Sequence, residues 1–164
     1  MIVYILRHAI AVERGTAGYP NDDRPLTEEG KQKMSKAAKG IAEIVDDIDV
    51  ILTSPFIRAH DTARIASRSL GAEHKLEVCK ELVPGASLKN LLSYLAKYKG
   101  LGSIMVVGHE PDLGYLASAL LGSEESIIEF KKGALCAIEV STLPPRSKGK
   151  LMWHVQPKHL RALA

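Results

Sequence analysis

The chain opens with an unbroken apolar run at positions 2–6, Ile2-Val3-Tyr4-Ile5-Leu6, with no polar residue to set up an alternation. A run this short and this uniform suits a strand buried on both faces. A polar stretch with Gly and Pro follows over 9–26 and reads as a long loop. Thr27 ahead of two acids, Glu28 and Glu29, has the form of a helix start, and Met34, Ala37, Ala38, Ile41, Ile44 and Val45 follow at helical spacing. Residues 49–53 predict a second buried strand. Ser54 and Pro55 then read as an N-cap and an N1 proline opening a helix that Gly71 ends.

Residues 76–79 give a third short strand, and Leu88, Leu91, Leu92 and Leu95 make one apolar face of a helix over 87–98. The β-branched run at 103–107 predicts a strand, 112–121 a helix closed by Gly122, and 134–140 and 150–155 two more strands. The connection between these last two, through Pro144-Pro145 and Gly149, is too short for a parallel crossover and predicts an antiparallel sheet edge. Strands alternating with helices imply an α/β fold, a three-layer α/β/α sandwich on a mostly parallel sheet. No internal repeat or low-complexity linker interrupts the pattern, and 164 residues predict a single domain over 1–164.

Composition narrows the partners. A formal charge of +3 with the basic residues spread along the chain, and only local clusters at Lys131-Lys132 and at Arg146, Lys148 and Lys150, gives no reason to expect nucleic acid. Cys79 and Cys136 are the two cysteines, far apart and among apolar neighbours, which predicts buried free thiols in a reducing compartment. No stretch approaches the length of a membrane span and the amino terminus lacks the basic region of a signal peptide, so the expectation is a cytoplasmic protein without a membrane partner.

Three polar groups stand at comparable places: Arg7-His8 after the first strand, Ser54-Pro55-Phe56-Ile57-Arg58 after the second, and Gly108-His109-Glu110 after the strand near 105. Parallel strands present the loops that follow them along one edge of the sheet, where open α/β sheets bind ligands. Two histidines and two arginines distant in sequence can therefore converge. Neutral imidazole attacks phosphorus and guanidinium forks its donors onto phosphate oxygens, although Arg7-His8 by itself favours a solvated or capping role.

The segments Leu6-Arg7-His8-Ala9, Ser54-Pro55-Phe56-Ile57-Arg58-Ala59-His60-Asp61-Thr62-Ala63 and Val106-Val107-Gly108-His109-Glu110-Pro111 resemble the histidine phosphatase, or phosphoglycerate mutase-like, superfamily. Asp23-Arg24-Pro25-Leu26-Thr27-Glu28-Glu29-Gly30, Arg7-His8-Ala9 and the short chain resemble its small SixA-type phosphohistidine phosphatases in particular. The resemblance implies a phosphoglycerate mutase-like fold. It also implies that His8 is a nucleophile passing phosphoryl to water through a phosphohistidine, that Arg7 and Arg58 hold the phosphoryl oxygens, and that His109 is a further donor. Physical chemistry agrees, since phosphoryl transfer needs an in-line nucleophile and fixed positive charge above all.

Other residues keep two readings. Ser54 either caps its helix or bonds phosphate, and Arg24 either frames the site or pairs with Asp22 or Asp23 in the loop. Glu81 falls near the acid of larger family members, yet Val83-Pro84-Gly85 departs from their pattern, so it is either a proton donor or a surface carboxylate. Glu110, beside His109, is the alternative acid, a role the resemblance does not assign it. His60, His74, His154 and His159 are expected on the surface. Arginines beside His8 and His109 would repel a dication, so neither a metal nor another cofactor is expected.

The substrate expected is phosphohistidine on a protein, such as a signalling or phosphotransfer protein, because imidazole leaves with less help than an alkoxide and little chain remains for a lid. Phosphatase or mutase action on a small phosphate ester is the second reading. A non-catalytic module that binds phosphate or phosphoprotein is the third, and the pairing of His8 with His109 weighs against it because binding needs only cations.

Overall fold

In the computed structural model, which describes residues 1–164 apart from the side chain of Asn21, the first apolar run is strand β1 (Ile2–Arg7). Helix α1 (Glu28–Ala42) follows the loop, and Thr27 caps it by accepting from the Gly30 N–H at 2.9 Å. Strand β2 (Val50–Thr53), helix α2 (Ile57–Ser69), strand β3 (Leu76–Val78) and helix α3 (Leu88–Leu95) come next, then strand β4 (Ser103–Gly108) and helix α4 (Asp112–Leu120). Strands β5 (Leu135–Glu139) and β6 (Lys150–Val155) precede a final short helix, α5 (Pro157–Leu160), that the sequence pattern does not announce. Among the described residues no helix is long and apolar enough to cross a membrane.

The sheet runs β3-β2-β4-β1-β5-β6. Strands β3, β2, β4 and β1 run parallel to one another, β5 is antiparallel to β1, and β5 and β6 form the antiparallel edge expected from their short connection. Side chains alternate between two cores. Val3, Ile5, Val50, Leu52, Ile104 and Val106 face α3 and α4, whereas Tyr4, Leu6, Ile51, Met105 and Val107 face α1, α2 and α5. Period-two alternation inside runs that look uniformly apolar is what burial on both faces requires. The three-layer sandwich is thus built as the sequence predicts, and Cys79 and Cys136 are buried free thiols within it.

Two local expectations fail. Helix α2 begins at Ile57 rather than at Pro55, and its cap position, Phe56, makes no side-chain cap. The Ser54 hydroxyl accepts from the Phe56 N–H at 3.3 Å but lies within 2.9 Å of a nitrogen of His109, so a tertiary partner draws it away from the helix end. His154 is half-buried, not on the surface, with its ring 4.9 Å from that of Phe130, because antiparallel pairing of β6 with β5 lays its strand over the core.

Candidate active site

Backbone pairing at the carboxyl ends of β1, β2 and β4 assembles the site. Arg7 is in register with Gly108 and Thr53 with Val107, and beyond them the His8 N–H donates to the Gly108 carbonyl and the Ser54 N–H to the Val107 carbonyl, each at 3.0 Å. His8, Ser54 and His109 therefore leave one edge side by side. The rings of His8 and His109 are 5.2 Å apart between centroids, and both residues are buried. Arg58, two residues into α2, packs its guanidinium 5.1 Å from the Phe56 ring, whose edge meets His109 at 5.6 Å. The site thus unites Arg7, His8, Arg58 and His109, the four residues the resemblance selects.

One carbonyl settles the tautomer of His8. Its Nδ1 lies 2.7 Å from the Ala9 carbonyl oxygen, which can only accept, so Nδ1 carries the proton and Nε2 keeps its lone pair. Burial above all, reinforced by the positive charges of Arg58, Arg7 and Lys132, pushes the His8 pKa down to about 3. The same burial, with His8 and Arg58 nearby, pushes His109 down to about 3. Both rings are neutral at physiological pH.

The arginines are anchored on one side only. Arg7 Nη1 donates to the Phe130 carbonyl at 2.5 Å, and both Nη groups of Arg58 are taken by Asp22. Arg7 Nε, Arg58 Nε and His109 Nδ1 are buried with no partner. Ser54 Oγ pairs with His109 Nε2, and in the tautomer in which the hydroxyl donates, His109 Nδ1–H is a donor. Buried donors without partners are costly in a folded protein and concentrate where a ligand supplies the acceptor. Two guanidinium Nε donors and the Nδ1 of His109, all buried without partners, belong to residues next to His8.

The residues with two readings separate clearly. Arg24 donates through Nε to Asp22 at 2.6 Å and through Nη1 to the Val12 carbonyl at 2.7 Å, the loop-anchoring alternative. Glu81 accepts from the Cys79 thiol at 3.4 Å, an arrangement in which burial and that bond push Cys79 up to about 12. It also lines, with His109, Leu82, Val83, Leu88 and Tyr115, an apolar recess of about 190 Å³. Glu110 is spent on structure, accepting from the Phe130 N–H at 2.5 Å and the Gly114 N–H at 3.2 Å. It thereby holds the residue whose carbonyl anchors Arg7.

Two contributors escape a reading by sequence. Thr62 Oγ1 accepts from the Ala9 N–H at 3.0 Å and donates to the Arg58 carbonyl at 2.7 Å, tying the residue after the nucleophile to α2. Its place in the quoted motif was a hint, but an i to i−4 hydroxyl bond in a helix looks like ordinary local satisfaction. Asp22 enters the sequence reading only as one of two partners for Arg24, and nothing there ties it to Arg58.

Comparison with known proteins follows the same lines. The family model of the histidine phosphatase superfamily (branch 1) matches residues 3–83. An uncharacterized protein of Picosynechococcus sp. is 31% identical over 166 residues, covering 98% of this chain and 99% of that one. Phosphohistidine phosphatase SixA of Escherichia coli K12 is 28% identical over 163 residues, covering 98% of this chain and 97% of that one. The solved structure of the protein histidine phosphatase SixA complexed with tungstate superposes with a TM-score of 0.84 at 28% identity, over 98% of this chain and 99% of the other.

Proposed function

The chain belongs to the histidine phosphatase superfamily, and from that premise we propose that it is a phosphohistidine phosphatase working through a phosphorylated His8. One observation carries the reading: the buried Nε donors of Arg7 and Arg58 and the buried Nδ1 of His109, all without partners, belong to residues next to a neutral imidazole whose Nδ1 is committed to a carbonyl. A binding module needs the donors but has no use for the oriented lone pair. The tetrahedral oxyanion bound by the related SixA fits such a receptor.

The Nε2 lone pair of His8 attacks phosphorus, and the bond from phosphorus to the substrate's imidazole nitrogen breaks with its electron pair returning to that nitrogen. Arg7, Arg58 and His109 keep their donors on the three equatorial oxygens, where charge is spread in the transition state. Glu81, on the wall of the recess beside His109, is the carboxyl that serves the leaving group's proton. Water then attacks the phosphorus of phosphorylated His8, loses a proton to the group that served as acid, and releases orthophosphate while Nε2 recovers its lone pair. A protein-borne histidine is the preferred donor because its imidazole leaves neutral once its other nitrogen is protonated.

Two measurements test this. Incubation with a labelled phosphodonor is expected to give an acid-labile label on the wild type and none on His8→Ala, with turnover reduced about a thousandfold or more. Turnover of a phosphohistidine protein is expected to exceed that of a panel of sugar and glycerate phosphates. Equal labelling of His8→Ala sinks the nucleophile; preference for the small esters replaces the substrate.

A further inference from the structure

We propose that Asp22 is an internal counter-ion of the phosphate site, one that competes with the bound anion for Arg58 and so sets how tightly the anion is held. The inference rests on the phosphate-binding reading of Arg7, Arg58 and His109. The Arg58 side chain is 2% exposed, and among the described residues its one ion pair is with Asp22, Nη2 to Oδ2 at 2.9 Å. Nη1 donates to the Asp22 backbone carbonyl at 2.8 Å. Removing a buried guanidinium from water demands such a partner when no phosphate is present.

The geometry makes the partner a competitor. Guanidinium meets phosphate best as a fork of two parallel donors. Asp22 takes one N–H of each Nη group, so Arg58 offers an incoming phosphate the side-on pair of Nε and the second Nη2 N–H, on a guanidinium whose charge a carboxylate already shares. The full charge of Arg58 becomes available to the anion only when Oδ2 releases Nη2. Asp22 can do this without leaving the site, since Oδ1 remains on Arg24 Nε at 2.6 Å and Arg14, on the exposed side, already stands 3.5 Å from Oδ2. A carboxylate that close also repels the anion through space. Asp22 holds a left-handed φ of 60° within the turn Pro20–Asp22, a conformation that Asp, Asn and Gly tolerate and bulkier residues resist. The loop therefore delivers a small acidic residue to Arg58 at a position where few side chains fit.

Asp22→Asn and Asp22→Gly both accept the left-handed backbone and keep the carbonyl that receives Nη1, so both are expected to fold. Titration with orthophosphate, followed by calorimetry, is expected to show about tenfold tighter binding in each variant, about 1.4 kcal/mol, with a larger gain at low salt than at high salt. Asp23→Asn removes the same formal charge next door and is expected to stay within about twofold of wild type. Unchanged or weaker binding in the Asp22 variants overturns the proposal, because a carboxylate that merely oriented Arg58 would weaken binding when lost. Equal gains from Asp23→Asn overturn it as well. The titration needs no turnover, so a wild type that binds orthophosphate yet leaves phosphohistidine intact removes the proposed reaction while the Asp22 comparison still decides.

Discussion

His8 has its reactivity set by a single acceptor, the carbonyl of the residue that follows it. With Nδ1 committed and burial holding the ring neutral, the imidazole signals of His8 and His109 are expected to stay flat from pH 8 to pH 5 in nuclear magnetic resonance titrations. A midpoint near 6.5 for His8 contradicts the site as described. Glu110 acts one step further out: it fixes Phe130, whose carbonyl anchors Arg7. Glu110→Ala leaves the Phe130 and Gly114 N–H groups without their acceptor and is expected to cost about 1–3 kcal/mol in urea unfolding and to weaken orthophosphate binding. Glu110→Gln keeps an acceptor oxygen and is expected to lose less than half of that.

Among the elements, α2 matters most because it carries Arg58 and, through Thr62, reaches back to the backbone beside the nucleophile. Thr62→Val preserves shape but strands the buried Ala9 N–H, so a loss of about 1–3 kcal/mol in unfolding free energy is expected, together with reduced turnover. Full stability in that variant means the Ala9 contact contributes nothing. Helix α1 meets the other side of the same loop. A Cβ at Gly30 would lie 2.0 Å from the Ile10 carbonyl oxygen, a backbone atom that cannot rotate away. Gly30→Ala is expected to destabilise by about 1–3 kcal/mol as overpacking does, despite the better helix propensity of alanine, which contributes at most about 1 kcal/mol. A more stable Gly30→Ala protein shows that α1 and the loop are not in close contact.

For the molecule as a whole, burying two neutral histidines links folding to pH. Their pKa values, lowered to about 3 in the folded chain, lie below the ordinary 6.5 of the unfolded chain, so the unfolded state binds more protons throughout that window. Stability then rises with pH and is lost as the pH falls below about 6.5. Acidification from pH 7 to pH 5, where few carboxylates yet titrate, is expected to remove about 2 kcal/mol for each histidine, read from urea midpoints. His8→Gln/His109→Gln is expected to flatten that slope. The same chemistry that leaves His8 free to attack phosphorus thus makes the protein acid-sensitive.

Apolar runs at 2–6, 50–52 and 104–107 determined the three inner strands β1, β2 and β4, since a strand buried on both faces needs apolar side chains on both. The alternation with helices determined the layers, and strand direction determined that Arg7-His8, Arg58 and His109 share an edge. Local pattern could not decide Ser54 or Arg24, because a cap, a loop ion pair and a phosphate contact use the same donors and acceptors. Tertiary structure alone showed their neighbours, placing His109 beside one and Asp22 beside the other. It alone revealed Thr62 and Asp22 at the site, whose partners lie 53 and 36 residues away in the chain. Periodicity reports which face of an element is buried; only the packed chain reports which polar groups meet.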